Sequence, residues 1–331
     1  MTLWLRGDKI LIDKIINKGG DRLIDDKNHY ERVFSIDEEG NITSWGLKAK
    51  NEEVVIEKRR RELTEQQKKV ITHNKDLNEL SKKLGGFITM YYVKNELLFN
   101  KVNISPASIS RLIYIATYLD YNDRQNGLLV HKNKYNQLIP MDKKAMKQKL
   151  KLTDKTFSRF FKEVKDTNLI FEVEDKIYIN PEYFTKGECE FDPGNYTRLY
   201  IKTTRELYEG TKVTSHKQLS YIFRLIPMAH YELNIICSNP EEQDIKKVND
   251  LSLDEICELF NIDKSHRTKF KKDMLKYCVT LEGCQYYLFK YVLIEGYYSD
   301  HDYFALNPYI IYKGKNPQLV EDIGKLFYFD E

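Results

Sequence analysis

Two stretches of this chain repeat one another. KIYINPEYFTKG runs from Lys176 to Gly187, and YFALNPYIIYKG from Tyr303 to Gly314. Each carries aromatic and β-branched residues into Asn-Pro (Asn180-Pro181, Asn307-Pro308), then four residues rich in aromatic or apolar side chains, then Lys-Gly. An internal repeat constrains a fold strongly, because the same local pattern must build the same supersecondary unit twice.

Upstream of each Asn-Pro the match continues. MDKKAMKQKLKLTDKTFSRFFKEV (Met141–Val164) lies on LSLDEICELFNIDKSHRTKFKKDM (Leu251–Met274) without a gap, at an offset of 110 (262 − 152). Met146 meets Ile256, Leu150 meets Phe260, Leu152 meets Ile262, Phe160 meets Phe270 and Val164 meets Met274. Polar character follows: Ser158 with Thr268, Arg159 with Lys269, Lys162 with Lys272, Glu163 with Asp273. In each copy a short amphipathic helix ends near Leu150 or Phe260. A turn follows with an apolar residue and a capping residue (Thr153 or Asp154; Asp263), then a second helix with one apolar face. That face holds Phe157, Phe160, Phe161 and Val164 in the first copy, and Phe270, Met274 and Leu275 in the second. LIFEVEDKIYINP then reads as a hairpin with Glu174-Asp175 at its tip. The second copy is 17 residues longer here, because the Asn-Pro offset is 127 (307 − 180) against 110. Helix-turn-helix followed by a β-hairpin is the winged-helix arrangement. Asn-Pro would close the last wing strand, since proline cannot occupy a central strand, and Gly187 and Gly314 would permit the turn beyond.

A first helix is expected ahead of each unit. ISRLIYIATYLDY (Ile109–Tyr121) parallels YTRLYIKTTRELY (Tyr196–Tyr208), with Arg111-Leu112 over Arg198-Leu199 at an offset of 87 (198 − 111). This implies 23 extra residues (110 − 87) between first helix and helix-turn-helix in the second copy.

The stretches GGFITMYYVKNELLFN, SRLIYIATYLDY, the helix-turn-helix and YINPEYFTKG together resemble the winged-helix replication initiation proteins of Firmicute plasmids and phages, the RepL type. The resemblance covers Gly85 to Cys189, and the chain departs from it in carrying the domain twice behind a charged N-terminal segment. It implies binding to double-stranded DNA, more firmly than it implies replication.

Charge agrees only locally. Fifty-three Lys and Arg stand against 50 Asp and Glu, net +3, which excludes a uniformly basic coat and leaves DNA binding to patches. The second helix of each helix-turn-helix would enter the major groove. Its outward residues are Lys155, Thr156, Ser158, Arg159 and Lys162 in the first copy, and Ser265, His266, Arg267, Lys269 and Lys272 in the second. Arg suits a bidentate contact to guanine; Ser, Thr and Lys more often hold phosphate. The first copy's preceding helix adds Lys143, Lys144, Lys147, Lys149 and Lys151.

Residues 1–84 are read separately. YERVFSIDEEGNITSWGL is expected as a hairpin turning at Glu38–Asn41. The Gly- and Pro-free run from Asn51 to Leu84 places Ile56, Leu63, Val70, Leu77 and Leu84 seven residues apart. That suggests one long helix with a single apolar stripe, leaning on the body of the protein or pairing weakly with a second copy through residues 53–84.

No catalytic constellation stands out. There is no phosphate-binding Gly-rich loop, and the seven histidines are scattered. Asp300-His301-Asp302 is read as a solvated turn. The five cysteines form no pairing or metal-binding pattern and are read as reduced, although Cys257, Cys278, Cys284 and His266 make a conceivable zinc set. No cofactor is expected, no membrane span, and no signal peptide in the polar N-terminus, so the location expected is cytoplasmic.

The expectation is an α+β, mainly α chain. It has an N-terminal hairpin and long helix (1–84), then winged-helix domains at 85–189 and 190–331. Its expected role is non-catalytic DNA binding in plasmid or phage replication initiation. The alternatives are a phage transcription regulator and an adaptor acting on a host replication or transcription protein.

Overall fold

The computed structural model describes residues 30–36, 42–49, 55–58, 75–91, 104–121, 127–186, 196–292, 303–314 and 316–329. The chain divides into two compact units, 1–70 and 71–331. The first holds a three-stranded antiparallel sheet of β1 (Tyr30–Ile36), β2 (Ile42–Ala49) and β3 (Val55–Lys58), in that order. The expected hairpin forms, with Phe34 opposite Trp45. The expected helix from residue 53 does not. Ile56 pairs with Leu47 in β3, where two successive β-branched residues suit an extended strand. Helix α1 covers 75–83, and 59–74 lie outside the described residues. Leu77 and Leu84 are buried against Tyr200, Tyr312 and Val320 of the same chain, so these two stripe positions serve its own core and offer nothing to a second copy.

The second unit mixes helices with small antiparallel sheets. Its first series is β4 (Phe87–Tyr91), α2 (Pro106–Ala116), β5 (Val130–Lys132), β6 (Leu138–Pro140), α3 (Lys143–Leu150), α4 (Asp154–Asp166), β7 (Ile170–Val173), β8 (Lys176–Ile179) and β9 (Phe184–Thr185). The second is β10 (Tyr196–Tyr200), α5 (Ile201–Gly210), α6 (His216–Leu225), α7 (Leu253–Leu259), α8 (Arg267–Leu275), β11 (Cys278–Leu281), β12 (Cys284–Tyr287), β13 (Phe289–Val292), β14 (Tyr303–Leu306) and β15 (Ile311–Tyr312), followed by α9 (Pro317–Lys325).

Local chemistry explains the matched pieces. Asp142 caps α3 by accepting from the Ala145 amide at 2.7 Å, and Ser252 and Glu255 form a reciprocal capping box on α7. Both helices end on a left-handed residue at equivalent positions, Lys151 (φ 53°) and Asn261 (φ 52°). The β7–β8 tip uses Glu174 (φ 50°) and Asp175 (φ 60°), the left-handed pair that a two-residue hairpin turn requires.

Pairing registers match the two series more completely than sequence does. Thr89 pairs with Thr185 and Met90 with Phe184; shifted by 109 and 127, these become Arg198 with Tyr312 and Leu199 with Ile311, the observed β10–β15 pairs. The isolated bridge Leu128–Tyr178 recurs as Ile235–Ala305. Met141 N donates to Leu129 O at 2.8 Å, and Leu251 N to Ile236 O at 2.9 Å. Asn180 N donates to Leu169 O and Asn307 N to Leu288 O, both at 2.9 Å.

Two sequence expectations are corrected by this. Tyr196–Tyr200 is a strand, not the start of a first helix: it alternates half-buried Tyr196 and Arg198 with buried Thr197 and Leu199 and pairs with β4. The counterpart of α2 is α6, where Ile109 corresponds to Leu219 and Ile113 to Phe223 at the helix-turn-helix offset of 110. No 23-residue insertion is then needed. The 17 extra residues also resolve. Ile170–Ile179 corresponds to Phe289–Leu306, so β13–β14 matches β7–β8; nine of the extra residues (119 − 110) come before β13, where the added hairpin β11–β12 lies, and eight (127 − 119) fall between Phe289 and Leu306.

Both series share one hydrophobic core, which runs from Ile88 and Leu112 through Phe160 and Ile179 to Phe223, Phe270, Phe289 and Ile311. They also share one four-stranded sheet, ordered β15-β10-β4-β9. Gly314 has a role other than the turn expected of it. Its φ is not left-handed, but a Cβ there would come within 2.3 Å of the Tyr312 hydroxyl.

Candidate nucleic-acid interface

Helix α4 turns Phe157, Phe160, Phe161 and Val164 into the core. Its 3.6-residue period therefore sends Lys155, Ser158, Arg159 and Lys162 outward, and all four are exposed. Lys155, Arg159 and Lys162 make no ion pair or hydrogen bond with any described residue. Thr156 is half-buried, its hydroxyl 3.0 Å from that of Thr153 at the helix start. In α8, Phe270 and Met274 face inward, and Ser265, His266, Arg267, Lys269 and Lys272 are exposed around its start and outer face. Lys269 and Lys272 are unpaired among the described residues. Arg267 is not: it reaches Asp254 of α7 at 2.5 Å. The Ser265 amide and hydroxyl donate to Asp263 at 2.8 and 2.6 Å, and these bonds hold the Asp263 carboxyl below its usual range. Of the ten expected residues, Lys155, Arg159, Lys162, Lys269 and Lys272 are thus cations unpaired among the described residues, Thr156, Ser265 and Arg267 are engaged in hydrogen bonds or an ion pair, and Ser158 and His266 are exposed.

Much of the lysine array around α3 is also engaged. Lys143 and Lys165 meet Glu172 on β7 at 2.8 and 3.6 Å, and the Lys143 hydrogen bond holds that carboxyl below the usual carboxylate range. Lys147 pairs with Asp154 at 2.6 Å, and the Lys149 ammonium lies 5.6 Å from the Tyr118 ring centre. Lys144 and Lys151 are unpaired among the described residues. The β7–β8 tip carries Glu174 and Asp175, with Lys176 beside them paired to Glu174 at 3.6 Å, and Phe171 and Val173 stand 39% and 51% exposed on β7.

The sequence reading missed the β5–β6 hairpin, which immediately precedes α3. Asn133 organises its turn, its side-chain oxygen accepting from the amides of Tyr135 at 2.9 Å and Gln137 at 3.0 Å. Lys132 and Lys134 are exposed, and Tyr135 is 70% exposed with the Lys134 ammonium 4.8 Å from its ring centre. The interleaved basic and aromatic residues of HKNKYNQ were the available signal.

Several strongly perturbed titratable groups lie elsewhere, where the two series meet. Tyr114 stacks on Tyr208 at 4.0 Å and donates to Glu209 at 2.8 Å. Arg205 donates to the Thr117 hydroxyl and carbonyl at 2.9 and 2.8 Å. Burial raises both tyrosines, and burial with Arg111 nearby pushes His216 down to about 4. From α4, Glu163 accepts from the Ser105 amide and from the Ser108 hydroxyl, tying this helix to the start of α2.

Among the described residues no three His, Cys, Asp or Glu side chains are grouped to hold a metal ion, so Cys257, Cys278, Cys284 and His266 are not brought together. The four described cysteines are free thiols; Cys189, like Asp300-His301-Asp302, lies outside the described residues. No described helix is long and apolar enough to cross a membrane. Compared with family models, curated proteins and solved structures, the chain matches none.

Proposed function

We propose that this chain is a non-catalytic, double-stranded DNA-binding protein built on two tandem winged helices, and that it initiates replication of a plasmid or phage. The observation that carries this reading is the recurrence, in both series, of helix, left-handed turn, second helix and hairpin, with cations that are unpaired among the described residues on the outer face of each second helix: Lys155, Arg159 and Lys162, then Lys269 and Lys272. Such a face supplies phosphate contacts and, through Arg159, a bidentate donor for guanine. The β5–β6 hairpin adds Lys132 and Lys134 beside α3. The resemblance to RepL-type initiators favours replication over regulation. Exposed Phe171 and Val173 beside an acidic tip favour a second reading, in which the first hairpin docks a host protein.

Fluorescence-anisotropy titrations against fragments of the surrounding genetic element, with nonspecific competitor and a salt series, test it. Tight, salt-dependent binding to one fragment is expected, lost in Arg159→Ala. Repeated sites near the chain's own gene would indicate an initiator, and promoter sites a regulator. Weak, uniform binding to every fragment would sink the DNA reading in favour of the docking one.

A further inference from the structure

Strands β4 and β10 pair antiparallel with Phe87 opposite Tyr200, Thr89 opposite Arg198 and Tyr91 opposite Tyr196. The offset of 109 that matches the series sends Phe87 to Tyr196 and Tyr91 to Tyr200. Applied to this ladder, it returns the same pairs with the strands exchanged. A pairing that maps onto itself this way is isologous, the signature of a two-fold axis, here passing by Thr89 and Arg198. The outer strands agree, since β9 flanks β4 as β15 flanks β10 in the order β15-β10-β4-β9. The helices agree too: α2 and α6 are counterparts and pack on each other more extensively than any other described helix pair. Their starts correspond, Ser105 to Ser215.

We infer that one chain is arranged as a two-fold dimer of its own halves and reads a single pseudo-palindromic duplex site, α4 on one half-site and α8 on the inverted other. This rests on the DNA reading above. B-DNA has two-fold axes perpendicular to its length, and a protein whose reading elements are related by such an axis matches half-sites that are inverted, not direct, repeats. Ordinary helix-turn-helix proteins obtain this from two chains; here the duplicated sequence supplies both halves. The half-sites are related but not identical, because the faces differ. The α4 face presents Lys155, Arg159 and Lys162; the α8 face presents Lys269 and Lys272 and holds Arg267 on Asp254. The added β11–β12 hairpin further separates the second half from the first.

The test uses the full chain and the shortest duplex protected in footprinting of the bound fragment. Mass photometry is expected to give one chain per duplex, and the protected sequence to contain two related inverted halves. The double variant Arg159→Ala/Lys162→Ala should lose protection over one half, and Lys269→Ala/Lys272→Ala over the other. Reversing one half-site in place should weaken binding at least about tenfold, since several base pairs become mismatched. Two chains per duplex, or affinity unchanged within about threefold on reversal, overturns the inference while leaving DNA binding standing. Failure to bind any fragment specifically overturns the DNA reading and this inference together.

Discussion

The two Asn-Pro motifs offer a controlled comparison of one substitution in two environments. Asn307 is fully buried; its amide donates to Tyr287 O at 2.7 Å and its side-chain oxygen accepts from Tyr309 N at 2.8 Å. Asn180 makes the same kind of clamp at the rim, donating to Asn168 O at 3.1 Å and accepting from Glu182 N at 2.9 Å. In Asn307→Ala both backbone partners lose the buried side chain that serves them. An unsatisfied buried group costs about 1–3 kcal/mol, so the loss is about 3 kcal/mol. In Asn180→Ala solvent replaces the side chain, and only the net value of exposed hydrogen bonds disappears, about 1 kcal/mol. For a unit of this size 1 kcal/mol moves Tm by roughly 2–4 °C, so Asn307→Ala should melt about 8 °C below wild type and Asn180→Ala about 3 °C below. Urea unfolding followed by circular dichroism gives the free energies directly. Equal losses for the two variants would refute the reasoning, because burial is the main variable that differs.

Gly127 has φ 74°, and a Cβ there would sit 2.0 Å from Ile179 O, whereas Gly283 has φ 85° with nothing within 4 Å. Gly283→Ala should therefore cost about 1 kcal/mol from left-handed strain alone, and Gly127→Ala clearly more, measured by urea titration. Lys155→Ala, removing an exposed cation on the outer face of α4, should weaken binding to all duplexes alike and lower the slope of log K against log salt by about one phosphate contact. His216, held neutral by burial, has its pKa depressed to about 4 from an ordinary 6.5. The unfolded chain takes up that proton first, so the contribution is complete above about pH 6.5 and is lost as pH falls toward 4. The stability difference between wild type and His216→Gln should shrink across that window, and a flat difference would exclude the histidine.

The helix-turn-helix was legible because local signals coincide there. Caps, the left-handed turn at Lys151 and Asn261, and the apolar spacing of α4 all act within a few residues. The β7–β8 turn at Glu174-Asp175 was legible for the same reason. The first-helix assignment failed because a shared Arg-Leu dipeptide carries little weight, and strand identity at Tyr196–Tyr200 depends on a partner more than a hundred residues away. The stripe misled at Ile56, which lies in β3, because a seven-residue recurrence does not require a helix at every position. At the candidate interface, sequence named the outward residues of α4 and α8. It could not show that Glu172 occupies Lys143 or that Asp254 holds Arg267, since those pairs form only once strand and helix are packed.

By itself the sequence determined that one supersecondary unit is written twice, because duplication is visible wherever side-chain character recurs at a constant spacing. Only the tertiary structure decided that the two copies share one sheet and one core about an internal two-fold axis. That relation lies in the β4–β10 register and the packing of α2 on α6, contacts between residues distant in the chain that no local pattern encodes.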